Sequence, residues 1–291
     1  MANRFHPWRS VFCAVLVLVS LPAVPAPQQG ILFECRMPNV APSYLMGTMH
    51  SSDPRVLAVA ADAEGRLQGS QRLVLEMVPD GLSMSAIMLA GLLPLGDGLD
   101  ALLEPALVDE VLRVAAARGL PREAVLRMKP WALATSLSLP PGETGLFLDL
   151  RLYHLAQERG LEILGLETAE EQLALFDDLD MRDQVALLEQ AVKIQAQLPM
   201  QFDEMVDAYL AGDLQALERL SREQQHELGP RLGEWFERDL LDARNARMAD
   251  RLAPVLRRGG AFVAVGALHL PGDAGLLVRL EAMGCALLAL R

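Results

Sequence analysis

The string Gly-x-x-His occurs twice, as Gly47-Thr48-Met49-His50 and as Gly266-Ala267-Leu268-His269, and each copy follows an apolar run with the length of a buried β-strand. The runs are Ser43-Tyr44-Leu45-Met46 and Ala261-Phe262-Val263-Ala264-Val265, near opposite ends of the chain. Each motif then leads through a Pro-containing loop and a helix-like segment to a further apolar strand, Arg72-Leu73-Val74-Leu75-Glu76 in the first copy and Ala286 to Leu290 in the second. This shared order predicts an α/β (α+β) fold: a central mixed sheet built from two strand-GxxH-helix-strand halves, with a large helical insertion at about 83–256 between them. Two halves related by a pseudo-twofold would set His50 and His269 face to face across adjacent strand ends. Strand ends are where α/β folds collect their chemistry.

The first residues have the three-part form of an export signal, with Arg4 and Arg9, an apolar stretch from Val11 to Leu21, and small residues and prolines up to Ala26. The stretch is too short for an ordinary membrane-spanning helix. Residues 1–26 therefore read as a cleaved signal peptide and 27–291 as one domain of a periplasmic or secreted protein with no integral membrane domain; Pro27 disfavours cleavage and leaves an uncleaved anchor as the alternative. Of the three cysteines, Cys13 leaves with the signal, and Cys35 and Cys285 remain, either as a disulfide or as two buried thiols. The net charge of −12 becomes −14 once Arg4 and Arg9 are removed, which argues against nucleic acid or anionic lipid as a partner.

Helical periodicity dominates the middle of the chain, with a strand at Leu161–Gly165, a capping sequence Thr168-Ala169-Glu170-Glu171, and a long helix predicted over Arg231–Leu256. Glu76 closes an apolar strand, where a carboxylate needs a cation or donors, or faces water. His50, His269 and Glu76 together form a ligand set suited to a divalent ion such as Zn, Mn, Co or Fe, which would activate a bound water. Without metal, the same residues supply a His base oriented by a Glu. On the long helix, Leu241, Asn245, Met248 and Leu252 share a stripe, so Asn245 needs a polar partner and the neighbouring Arg244 is placed to clamp a carboxylate or an oxyanion. Asp149 and Glu167 are further acids in apolar surroundings and candidates for substrate binding, although Glu167 also suits a helix N-terminus. His154 and His226 have no second ligand at helical spacing, and no His-Glu-x-x-His, Cys-x-x-Cys, Walker or Gly-x-Ser-x-Gly motif occurs.

The ordered set Ser43 to His50, Leu73-Val74-Leu75-Glu76, Gly165-Leu166-Glu167-Thr168 with Gln172, Arg244-Asn245, and Val263 to Gly272 resembles the TraB/GumN family, the bacterial relatives of the Tiki proteins. Pro271 stands where the family pattern has a small residue. The resemblance implies a metal-dependent hydrolase acting on a peptide or protein substrate, with His50, Glu76 and His269 at a divalent-metal site (Mn, Co or Zn) and Arg244 and Asn245 positioning the substrate or its tetrahedral intermediate. A variant of this reading makes Glu76 the base, while both histidines and a further carboxylate hold the metal. Two alternatives stand beside it: a non-catalytic binding protein, for peptide or associated with polysaccharide export, and a metal-free esterase-like hydrolase with His50 as base.

Overall fold

The computed structural model describes residues 29–140 and 147–291, so the signal segment expected at 1–26 lies outside the described residues. Six strands, β1 (Leu32–Arg36), β2 (Ser43–Thr48), β3 (Arg72–Leu75), β4 (Glu162–Gly165), β5 (Ala261–Gly266) and β6 (Ala286–Ala289), form one mixed sheet in the order β4-β3-β5-β2-β1-β6. β2, β5, β3 and β4 run parallel, and β1 is antiparallel to both β2 and β6. β5 lies near the centre of the parallel block and is apolar on both faces, Ala261 to Val265 all being buried, as expected of a strand covered on both sides. β1 and β2 form the expected hairpin, turned by Asn39 in the left-handed region.

The two halves are not copies in space. From β2 the chain passes β5 to reach β3, whereas from β5 it passes both β2 and β1 before reaching β6. The opening hairpin has taken the place beside β2 that a strictly symmetric second half would fill. What the halves share is the central pair, where β2 and β5 lie parallel with Thr48 opposite Gly266.

The sheet buries Phe33, Leu45, Leu73 and Phe262 against Val56 and Leu67 of the helix Pro54–Gln68, Leu152 of Leu148–Glu158, and Leu252 of Ala243–Arg258. A second apolar cluster, around Val111, Leu133, Leu137 and Leu188, joins the helices Pro105–Ala117, Pro130–Leu137 and Met181–Lys193. The single long helix predicted over Arg231–Leu256 is instead three segments: α-helix at Pro230–Trp235, π-helix at Phe236–Asp242, and α-helix at Ala243–Arg258. The wider π turns leave the apolar pattern helical in period, which is why the pattern conceals them, and π segments gather at functional sites.

Cys35 on β1 is disulfide-bonded to Cys285, which precedes β6, with Cα atoms 5.4 Å apart and 250 residues between them in sequence. The bond staples the first strand to the last, and its removal withdraws a constraint from the unfolded chain. Cys35→Ser is expected to cost about 3 kcal/mol, read as a lower urea midpoint; a midpoint equal to that of the oxidised wild type would exclude this contribution.

Candidate functional site

Three adjacent parallel strands, β3, β5 and β2, end at one edge of the sheet, and each delivers a polar side chain there: Glu76 directly after β3, His269 in the 3₁₀ turn Ala267–His269 after β5, and His50 two residues beyond β2. They line a cleft of about 360 Å³ together with Thr48, Gln172, Tyr209, Arg244 and an apolar wall that includes Phe236 and Leu240. The glycines of the motifs serve close approach. A Cβ on Gly47 would lie 2.8 Å from Leu270 Cδ1, and one on Gly266 would lie 3.2 Å from Glu76 Oε1. Tyr209 fixes the end of β2 by donating its hydroxyl to Gly47 O at 2.8 Å.

Arg244 is the hub of this edge. Its Nε and Nη2 donate to Glu167 Oε2 at 2.9 and 2.7 Å, Nη2 also donates to Glu76 Oε2, and Nη1 reaches His269 Nε2 at 3.2 Å and Leu240 O at 3.4 Å. The side chain of Glu167 is fully covered, and Arg247 donates to its other oxygen, Nε at 3.1 Å. Burial opposes ionisation of Glu167, and its hydrogen bonds and charge pairing with Arg244 and Arg247 overcome this and lower its pKa. Glu76 receives Gly266 N–H at 2.6 Å on Oε1. Burial opposes the Glu76 charge as well, but the His269 imidazole when protonated in acid, the Arg244 guanidinium and the Gly266 N–H hold its carboxyl at about 2.

His269 is buried, and its Nδ1 lies 2.7 Å from Asn245 Oδ1. A carbonyl oxygen only accepts, so Nδ1 carries the proton and Nε2 is left to accept from Arg244. Burial pushes the imidazole pKa down, Glu76 pulls it up, and Arg244 pushes it down again, with a net lowering. His50 is its opposite in setting. Its side chain is 65 % exposed, its ring stacks on Phe147 with centroids 5.1 Å apart, and Nε2 lies 3.7 Å from Asp149 Oδ2. Asp149, in the first turn of Leu148–Glu158, accepts from Thr48 Oγ1 at 2.8 Å, and burial raises its pKa against the pull of His50 and Thr48.

All seven candidate residues therefore gather at one edge, in two groups: Glu76, Arg244, Glu167, Asn245 and His269 in a buried network, and His50 with Asp149 at its open side. Gln172, which donates to Glu167 at 3.1 Å, completes the network from the helix Ala169–Asp177. Arg247 also belongs to it, and its spacing of three from Arg244 on one helix is the signal that marks it. Thr48 and Phe147 carry no comparable signal, because their partners are remote in sequence or conformationally chosen.

A divalent ion shared by Glu76, His269 and His50 would compete with bonds already made at Glu76 and His269. Both Glu76 oxygens accept from Gly266 and Arg244, and His269 Nε2 accepts from Arg244. The guanidinium sits where the ion's charge would sit, 3.6 Å separates Glu76 Oε1 from His269 Nε2, and among the described residues no group of three or more His, Cys, Asp and Glu side chains is placed to hold a metal. The donor types suit such an ion; the arrangement does not fit one.

Both depressed pKa values act in the same direction on stability. A lowered His269 favours folding above its ordinary value of 6.5 and loses that advantage as pH falls below it, and Glu76 does the same from 4.5 down to about 2. The urea midpoint is expected to fall in these two steps on acidification, and Glu76→Gln to flatten the lower one; an unchanged acid limb in that variant would refute the assignment.

No curated protein and no solved structure matches this chain at a significant level. A family model described as the TraB/PrgY/gumN family matches residues 32–287, a span that takes in both Gly-x-x-His motifs, Glu76, Glu167 and the Arg244-Asn245 pair, and the chain belongs to that family.

Proposed function

We propose that the protein is an exported hydrolase of carbonyl-derived bonds, peptide or ester, in which His50 is the general base and Arg244 stabilises the tetrahedral intermediate. The observation that carries this reading is the pairing of an exposed imidazole with the shielded oxygen of a half-buried carboxylate, His50 Nε2 to Asp149 Oδ2 at 3.7 Å, beside a fixed cation in one cleft. Asp149, itself held by Thr48, orients the ring and compensates its charge when His50 takes a proton from the attacking water. Glu76 is a poor candidate for the base, because a carboxyl held at about 2 has little affinity for a proton near neutral pH.

The intermediate carries an oxyanion, and Arg244 Nη1 is the arm best placed to serve it. Nε and Nη2 are fixed on two carboxylates, whereas Nη1 makes only the bonds of 3.2 and 3.4 Å. Asn245 sets the tautomer of His269, and His269 aims Nη1; Glu76 and Glu167 hold the rest of the guanidinium. In this account Asn245, His269, Glu76 and Glu167 position Arg244, and the chemistry falls to His50 and Arg244. The Arg-flanked apolar segment at the N-terminus supports export, and among the described residues no helix is long and apolar enough to cross a membrane.

A second reading, the metal-dependent peptidase, is favoured by the Asn245–His269 bond, because metal-bound imidazoles are commonly supported through their other nitrogen in this way. It requires Arg244 to withdraw from Glu76 and His269. Screening peptide and ester substrates before and after exhaustive chelation separates the two. Activity is expected to survive chelation, to fall about 10²–10⁴-fold in His50→Ala and about 10²–10³-fold in Arg244→Ala. Loss on chelation with recovery in Mn, Co or Zn would install the metal reading instead. Specific peptide binding that survives His50→Ala, with no turnover of any substrate, would make the protein a binder.

A further inference from the structure

The cleft has an apolar neighbour. A second cavity of about 330 Å³ shares Phe176, Phe236, Leu240 and Leu268 with it, so the same four side chains face both spaces. Cavities of this size lie within the ~300–1,000 Å³ range of small-molecule sites. Ala191, Ile194, Leu198, Leu228 and Trp235 also line it, together with uncharged polar side chains such as Thr135, Ser138 and Gln201, and among the described residues no Lys, Arg or His does. The carboxylate at its border, Glu227, accepts from Gln190 Nε2 at 3.0 Å. The shared border is held in shape by aromatic contacts, Phe176 being stacked on Trp131 at 5.4 Å and set edge-on to Trp235 at 5.5 Å. Phe236 and Leu240 enter it from the π-helical turns that lead into Arg244. A further cavity that Leu268 borders is instead lined by Glu218, Glu237, Asp242 and Asp273 and offers no comparable apolar seat.

We infer that this chamber is the specificity subsite of the hydrolase, receiving an uncharged hydrocarbon group, an acyl chain or a large apolar side chain, attached to the carbonyl that reacts in the cleft. The inference rests on the hydrolytic reading for its kinetics and on the chamber alone for its binding. A group that extends from the site at Arg244 past Leu268 and Phe236 would enter an apolar space, where burial rewards each added methylene and an ionised group finds no counter-charge. The second Gly-x-x-His motif therefore serves both spaces, with His269 toward the charged network and Leu268 toward the chamber.

The test uses the full chain and two variants, Ile194→Trp, which fills the chamber, and Ile194→Ala, which enlarges it. The ratio of kcat/KM for p-nitrophenyl octanoate to that for p-nitrophenyl acetate is expected to fall about tenfold or more in Ile194→Trp, and Ile194→Ala is expected to move the preference toward the decanoate. A ratio unchanged in both variants would overturn the inference. Fluorescence of the uncharged probe N-phenyl-1-naphthylamine gives a readout independent of turnover. It is expected to rise with wild type, to be displaced by 1-octanol, and to be lost in Ile194→Trp while Ile194→Ala retains it. If wild type binds the probe in this pattern but hydrolyses no ester or peptide, the hydrolytic reading fails and the chamber stands. If probe binding is absent from wild type or identical in all three proteins, the chamber is not a hydrocarbon site.

Discussion

A guanidinium held between two carboxylates organises the working edge of this molecule. Removing Arg244, Glu76 and Glu167 from water is costly, and the cost is offset only because each charge meets its opposite with directed hydrogen bonds. That requirement fixes three elements at once: the end of β3 that carries Glu76, the loop after β4 that carries Glu167, and the helix Ala243–Arg258 that carries Arg244. The carboxylate of Glu76 also accepts from Gly266 at the end of β5, so the network reaches the strand that carries the second motif. One buried cation thus ties the sheet edge to the helix that covers it.

The two Gly-x-x-His motifs end in different surroundings. Both place a histidine just beyond adjacent parallel strands, yet one ring is enclosed and tied to Asn245 while the other stacks openly on Phe147. The difference arises from the path the backbone takes beyond each strand. After Gly266 the chain tightens into a 3₁₀ turn whose His269 meets Asn245 of the helix Ala243–Arg258, and after Thr48 it leaves the sheet toward Asp53, the cap of the next helix. The same four-residue string is therefore compatible with a positioning role in one copy and a proton-transfer role in the other.

Much of this was legible in the residues. The apolar runs of β2 and β5 mark two buried strands, the capping box Thr168–Glu171 forms as its sequence indicates, and the Leu241-Asn245-Met248-Leu252 stripe places Asn245 inward, where it meets His269. Other features were hidden for physical reasons. The π turns at Phe236–Asp242 preserve a helical apolar pattern, so nothing local distinguishes them. The Thr48–Asp149 bond joins residues 101 apart with no shared motif, and β6 lies beside β1 because a hairpin occupies the symmetric place. Arg244 was marked as a clamp, but its seat between Glu76 and His269 depends on tertiary geometry that no spacing encodes.

The sheet order also dictates when this protein can fold. β2 finds its parallel partner in β5, with Tyr44 opposite Phe262, and β1 finds its outer neighbour in β6, so the opening hairpin waits for the final strands before either exposed edge is covered. Pairings of such sequence separation are entropically slow to form. A chain threaded across a membrane from its N-terminus would have to deliver almost its full length before these pairings could close.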